Sequence, residues 1–210
     1  MQRHLSFLPF LAVITIVWSC TAHGQRDDAQ EAEVQAQAEE AQQQYRGEIG
    51  RQQLEIVQQP GQAEPHLALS RLYRTIGQYD QAVEQIHKAI EIDPASGTAY
   101  QMLGELHLLQ GNYEAAETQL TKARSQTNAP LIATFRLGMT YLETGRKTEA
   151  QQLFQELIRG YQQGQAITSE DVMAAALAAK QMERFHDANN LLSEATQADP
   201  SLIDAYVAWG

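Results

Sequence analysis

Cysteine is nearly missing from this chain: Cys20 is the single one among 210 residues. An intrachain disulfide, a CxxC redox pair and a cysteine-built zinc site are therefore excluded. Basic residues are also in short supply, 15 against 26 acidic, for a formal net charge of −11 at pH 7. That balance argues against nucleic-acid backbones and anionic membrane surfaces as partners, and otherwise serves solubility. The most apolar run, Leu5–Trp18, is fourteen residues long and interrupted by Ser6, Pro9 and Thr15. It falls short of the roughly 20 residues that a membrane-spanning helix needs. Catalytic signatures are missing too: there is no phosphate-binding GxxxxGK, no HExxH, no GxSxG and no glycine-rich dinucleotide fingerprint. Beyond residue 24 the histidines are His66, His87, His107 and His186, with no i, i+4 pair among them. His66 and His107 stand where a packed core residue is expected. Pairs such as Glu114/Glu117 and Glu143/Glu149 fall on exposed faces or turns, where solvation explains them. We expect no catalytic residue, no cofactor and no metal ligand.

The first 24 residues carry one charge, Arg3, ahead of the apolar run. That run has the length of a signal-peptide core, so residues 1–24 are expected to direct export. Two processing sites compete. Val17-Trp18-Ser19-Cys20 resembles the lipobox of bacterial lipoproteins, with Trp18 departing from the usual small or β-branched residue. The resemblance implies acylation of Cys20 and membrane attachment by lipid. Ala22-His23-Gly24 instead offers a small-x-small site that would release a soluble protein. Either way the chain leaves the cytoplasm.

Residues 25–62 hold twelve glutamines and eight acidic residues against three arginines. Residues 25–46 read as a spacer, a frayed helix or flexible connection with a thin stripe of Val34, Ala38, Ala41 and Tyr45. Residues 47–62 differ, because Ile49, Leu54, Ile56 and Val57 can form an apolar face. Pro60 precedes His66 by six residues, as Pro94 precedes Tyr100, so this segment is expected to act as a capping half-repeat.

The rest is periodic at 34 residues. Residues 63–96 place His66, Leu69, Ser70, Gly77, Tyr79, Ala82, Ile86 and Ala89; residues 97–130 repeat them as Tyr100, Leu103, Gly104, Gly111, Tyr113, Ala116, Leu120 and Ala123. Residues 131–164 continue with Thr134, Leu137, Gly138, Gly145, Ala150, Phe154 and Leu157. After four inserted residues, 169–202 give Val172, Ala175, Ala176, Phe185, Ala188, Leu192 and Ala195. Gly104 and Ala116 are expected where two helices cross closely. Gly77 and Gly111 are expected between helices, closing the first of each pair. Ser169-Glu170-Asp171 reads as a helix start with Ser169 as the capping hydroxyl. Residues 203–210 begin a fifth unit that stops at Trp209-Gly210. The chain is therefore expected to be a fragment of a longer protein, the competing reading being a natural end covered by a partner or a second copy.

These units resemble the tetratricopeptide repeat family. The resemblance implies an all-α, right-handed solenoid of four helix pairs with a capping helix before them. It also implies a concave groove lined by positions 2, 5, 9 and 12 of each first helix. Here those positions are Glu64, Leu67, Arg71 and Arg74; Thr98, Gln101, Glu105 and Leu108; Ile132, Phe135, Met139 and Leu142; and Glu170, Met173, Leu177 and Lys180. The first set offers arginines suited to carboxylates, and Phe135, Met139, Leu142, Met173 and Leu177 of the last two offer an adaptable apolar floor. Family members that clamp a partner's C-terminal carboxylates use lysines and asparagines on this stripe; Leu67, Arg71, Gln101 and Glu105 stand there instead. The expected function is a non-enzymatic scaffold of the bacterial cell envelope that holds a segment of another protein. The rival is an accessory region of a longer exported protein whose catalytic or ligand-binding module follows Gly210. A third expectation is self-association through the C-terminal end.

Overall fold

The computed structural model describes residues 28–164 and 168–200. Cys20, both processing sites, the first three of the four inserted residues (165–167) and the expected start of a fifth unit (203–210) lie outside the described residues. Among the described residues there are nine α-helices and no strand. The chain divides into two compact units, Met1–Ile92 and Asp93–Gly210.

The first unit opens with α1, Asp28–Gln58. This helix runs straight through residues 46 and 47, where the sequence suggested a change from spacer to cap. Glutamate, glutamine and alanine favour the helix by enough to carry Gly47 and Gly50, which cost about 1 kcal/mol each against alanine. The helix stops just before Pro60. Ala41, Tyr45, Ile49 and Ile56 are half-buried on the side that lies against α2, Glu64–Thr75. α2 in turn packs on α3, Tyr79–Ile92. Their shared core holds Leu67, Leu69, Ala82, Ile86 and Ala89, each at 3% exposure or less. His66 sits in it as a packed residue, its Nδ1 2.8 Å from Gln85 Oε1, and both side chains are buried.

The second unit contains three helix pairs: α4 (Gly97–Leu109) with α5 (Tyr113–Arg124), α6 (Leu131–Glu143) with α7 (Lys147–Gln162), and α8 (Ser169–Gln181) with α9 (Phe185–Ala198). Each helix packs on the next, and the first helices α4, α6 and α8 also touch in turn. This is the layered arrangement of a helix-pair repeat. The close crossing of α4 and α5 falls where the small residues stand. A Cβ on Gly104 would lie 2.6 Å from Leu120 Cγ and 3.4 Å from the Ala116 carbonyl oxygen, and Ala116 is fully buried. Ala116→Leu is therefore expected to overpack that crossing by roughly 1–3 kcal/mol. A denaturation midpoint equal to that of the parent chain would contradict this placement.

The turns follow the glycines. At Gly111 (φ +72°) the Asn112 N–H donates to the His107 carbonyl at 2.8 Å, the wide closing bond of a left-handed helix cap. The fourth repeat departs: Glu183 occupies this site with φ +59°, a conformation that disfavours a side chain by about 1 kcal/mol or more. The start of α8 also differs from expectation by one residue. Thr168, not Ser169, is the cap, and its hydroxyl accepts from the Asp171 N–H at 3.1 Å. Ser169 is already helical, so its side chain is past the position from which a cap can turn back.

Candidate functional site

The sixteen stripe positions fall into three environments. In the first unit, Leu67 is 3% exposed and belongs to the core. Arg71 is exposed, and its Nη1 donates to Glu64 Oε1 at 2.9 Å, so this arginine is already neutralised by a member of its own stripe. Such a surface pair contributes at most about 1 kcal/mol and exchanges readily with another carboxylate. Arg74 is half-buried and partnered.

In the second unit the expected apolar floor is mostly interior. Phe135 at 4%, Met173 and Leu177 at 7% and Ile132 at 9% exposure join Phe154, Leu157 and the alanines of α8 in one core. Phe135 lies with its ring 5.7 Å from that of Phe154. As an open binding floor, Phe135, Met173 and Leu177 are a correction to the sequence reading, and Ile132 is buried with them. They fill the seam where α6 and α8 stack side by side. The close approach follows from α8 itself, in which Ala174, Ala175, Ala176, Ala178 and Ala179 are fully buried and leave the backbone near its neighbours. Met139 and Leu142 pack against the edge of this core and remain half-exposed, as does Leu108. Thr98 is half-buried too, while Glu170 and Lys180 are exposed; Lys180 has a partner.

The polar part of the stripe is a network. Gln101 Nε2 donates to Glu105 Oε1 at 2.9 Å, and Arg136 Nε donates to the same oxygen at 2.8 Å. Gln101 and Glu105 are 9% and 8% exposed. The side chains of Arg136 and Glu105 show 17% and 10% of their surface. A carboxylate this dry requires its counter-charge, because an unpaired buried charge costs several kcal/mol. Arg136 was not among the stripe residues read from sequence. The signal was present: Glu105 holds position 9 of one unit and Arg136 position 6 of the next, and neighbouring first helices bring such positions together. Leu109, 62% exposed at the end of α4, was also missed.

A second group of charges lies at the turn between α6 and α7. Arg146 donates to both carboxylate oxygens of Glu117, at 2.9 and 2.8 Å, and to Glu149 at 2.9 Å, with its guanidinium 3.8 Å from the Tyr141 ring centroid. Burial and the Glu117 carboxylate push the Tyr141 phenol above its usual value. Every member is satisfied within the group, so it fastens α5, α6 and α7 rather than offering an open site. Among the described residues, no three histidine, cysteine, aspartate or glutamate side chains gather as a metal site, and no helix is long and apolar enough to cross a membrane.

A repeating helix pair with a close glycine–alanine crossing, and a stripe left over on the first helices, defines a helix-pair repeat protein. Residues 77–136 and residues 110–165 each match a family described as tetratricopeptide repeat, and the chain carries such repeats. Anaphase-promoting complex subunit 3 of Schizosaccharomyces pombe is 32% identical over 96 residues, which are 46% of this chain and 14% of that protein. The chain thus spans a small part of that relative's length. Among solved structures, TTC0263, a thermophilic TPR protein of Thermus thermophilus, superposes with a TM-score of 0.57 at 18% identity, over 80% of this chain and 90% of its own. PilF of Pseudomonas aeruginosa gives 0.51 at 20% identity, over 85% and 82%. Likeness at these identities is one of fold.

Proposed function

We propose that this chain is a non-enzymatic scaffold, exported to the bacterial cell envelope, that holds a segment of another protein along the first helices of its repeats. The observation that carries this reading is the half-exposed edge of Leu108, Met139 and Leu142 beside the Gln101–Glu105–Arg136 network. An apolar edge held in place by such a network suits an extended or helical segment, with apolar anchors giving affinity. Leu5–Trp18 and Cys20 support the export part of the proposal. The polar network also argues for a fixed site: its side chains are already ordered, so binding orders little more.

The test is a photo-crosslinking residue placed at Leu142 in cells expressing the full chain, with identification of the captured protein. Capture of one envelope protein is expected, and Met139→Ser with Leu142→Ser should reduce that capture about tenfold or more at unchanged helicity. Equal capture by the double variant would move the site elsewhere. Fractionation that finds the chain only in the cytosol would overturn the envelope assignment while leaving the scaffold reading standing.

A further inference from the structure

α6 ends differently from the other first helices. The last turns of α2, α4 and α8 carry Arg74, His107 and Lys180, whereas α6 has no basic residue there and closes on Glu143. Positive side chains suit the negative end of the helix macrodipole, and a carboxylate opposes it. Glu143 is exposed, and among the described residues its side chain joins no ion pair or hydrogen bond. The turn that follows does not answer it: Arg146 is engaged with Glu117 and Glu149, and exposed Lys147 does not pair with it. This uncompensated acid lies at the end of the apolar edge. Leu108 and Leu109 hold the same two repeat positions on α4 that Leu142 and Glu143 hold on α6, and the two helices touch. Leu109 is 62% exposed, while Leu108 and Leu142 are half-exposed.

We propose that the segment held on this edge is basic as well as apolar: its apolar residues cover Leu108, Leu109 and Leu142, and a lysine or arginine beside them pairs with Glu143. The inference rests on the docking reading above and adds the chemistry of the partner. A cation placed there gains twice. It makes a charge-assisted hydrogen bond with the carboxylate, and it meets the negative end of α6, where the chain supplies no cation of its own. An acidic segment would meet like charge at the same point, which works against binding. The net charge of −11 acts in the same direction, drawing a basic segment from a distance and speeding its encounter. That field repels a second copy of this chain, so the edge is fitted to a different protein.

The experiment repeats the cross-linking at Leu142 in cells expressing the full chain and identifies the cross-linked peptide of the captured protein. That peptide is expected to carry lysine or arginine beside apolar residues. Glu143→Lys should lower its capture about tenfold or more, since attraction becomes repulsion. Exchanging the basic residue of the captured segment for glutamate should restore capture by Glu143→Lys, a result that a misfolded chain could not give. Glu91→Lys, at the exposed end of α3, alters the net charge equally and should leave capture unchanged. The purified Glu143→Lys chain should denature no earlier than the parent, because lysine suits that helix end. A captured segment without a basic residue, equal capture by Glu143→Lys, no restoration by the exchanged segment, or an equal loss from Glu91→Lys would overturn this proposal and leave the docking edge standing. Capture of a second copy, or of nothing by the parent chain, would overturn both.

Discussion

Replacing Phe154 with alanine is expected to destabilise the second unit by about 3–5 kcal/mol. The ring is 1% exposed and reaches from α7 into the core that α6, α8 and α9 share. It packs against Phe135, and it also lies directly over Gly138, where an added Cβ would stand 2.4 Å from Cε1. The glycine is what lets the ring descend onto the α6 backbone, so truncating the ring leaves a cavity that Gly138 cannot fill. The surrounding alanines cannot fill it either, since they carry no mobile side chain. Phe154→Leu should cost less, because much of the volume is retained. Chemical denaturation of the full chain, followed by circular dichroism, measures both. A loss below about 1 kcal/mol for Phe154→Ala would mean that the core re-closes, at odds with the close packing usual in protein interiors.

The same cluster marks where sequence reading stopped short. The phase of the repeats was legible because small residues recur at fixed places, and each proved to sit at a crossing or a turn: Gly104 over Leu120, Gly138 over Phe154, Gly111 at a left-handed cap. Those are properties of one helix pair. Exposure of the stripe depends on how close the next pair comes. Phe135 and Met173 have the spacing of a groove residue and also that of a seam residue, and the backbone approach permitted by the alanines of α8 places them in the seam. The same lateral contact hid Arg136, whose partner Glu105 lies 31 residues back. Glu183 has no such reason: it stands in a left-handed turn where three sister positions have glycine, and nothing in the structure explains it. His66 behaved as expected because its partner, Gln85, lies within the same helix pair.

Asp171→Ala is expected to cost about 2–4 kcal/mol, the sum of a lost helix cap and lost charge-assisted hydrogen bonds. The side chain is 6% exposed and serves two helices at once. Its Oδ2 accepts from the Thr168 N–H at 3.1 Å, completing the capping box of its own helix, while Oδ1 accepts from the Leu131 N–H at 3.0 Å. Leu131 is the first residue of α6, and Pro130 before it offers no side-chain cap. One carboxylate thus closes the starts of consecutive first helices, forty residues apart, and places negative charge where both macrodipoles favour it. Asp171→Asn should lose less than alanine. Its single amide oxygen can accept from Leu131 or from Thr168 but cannot reproduce the two-oxygen arrangement, and the charge is gone. Thr168→Ala, which removes only the local half of the box, should cost about 1 kcal/mol. Combined with Asp171→Ala it should add less than that amount, because the two side chains act together. Amide hydrogen exchange distinguishes this bridge from a purely local cap. In Asp171→Ala the Leu131 amide should lose protection along with that of Thr168, whereas in Thr168→Ala the Leu131 amide should keep it. Retained protection at Leu131 in Asp171→Ala would show that α6 is closed by some other acceptor, and that the third and fourth repeats are not tied at this point.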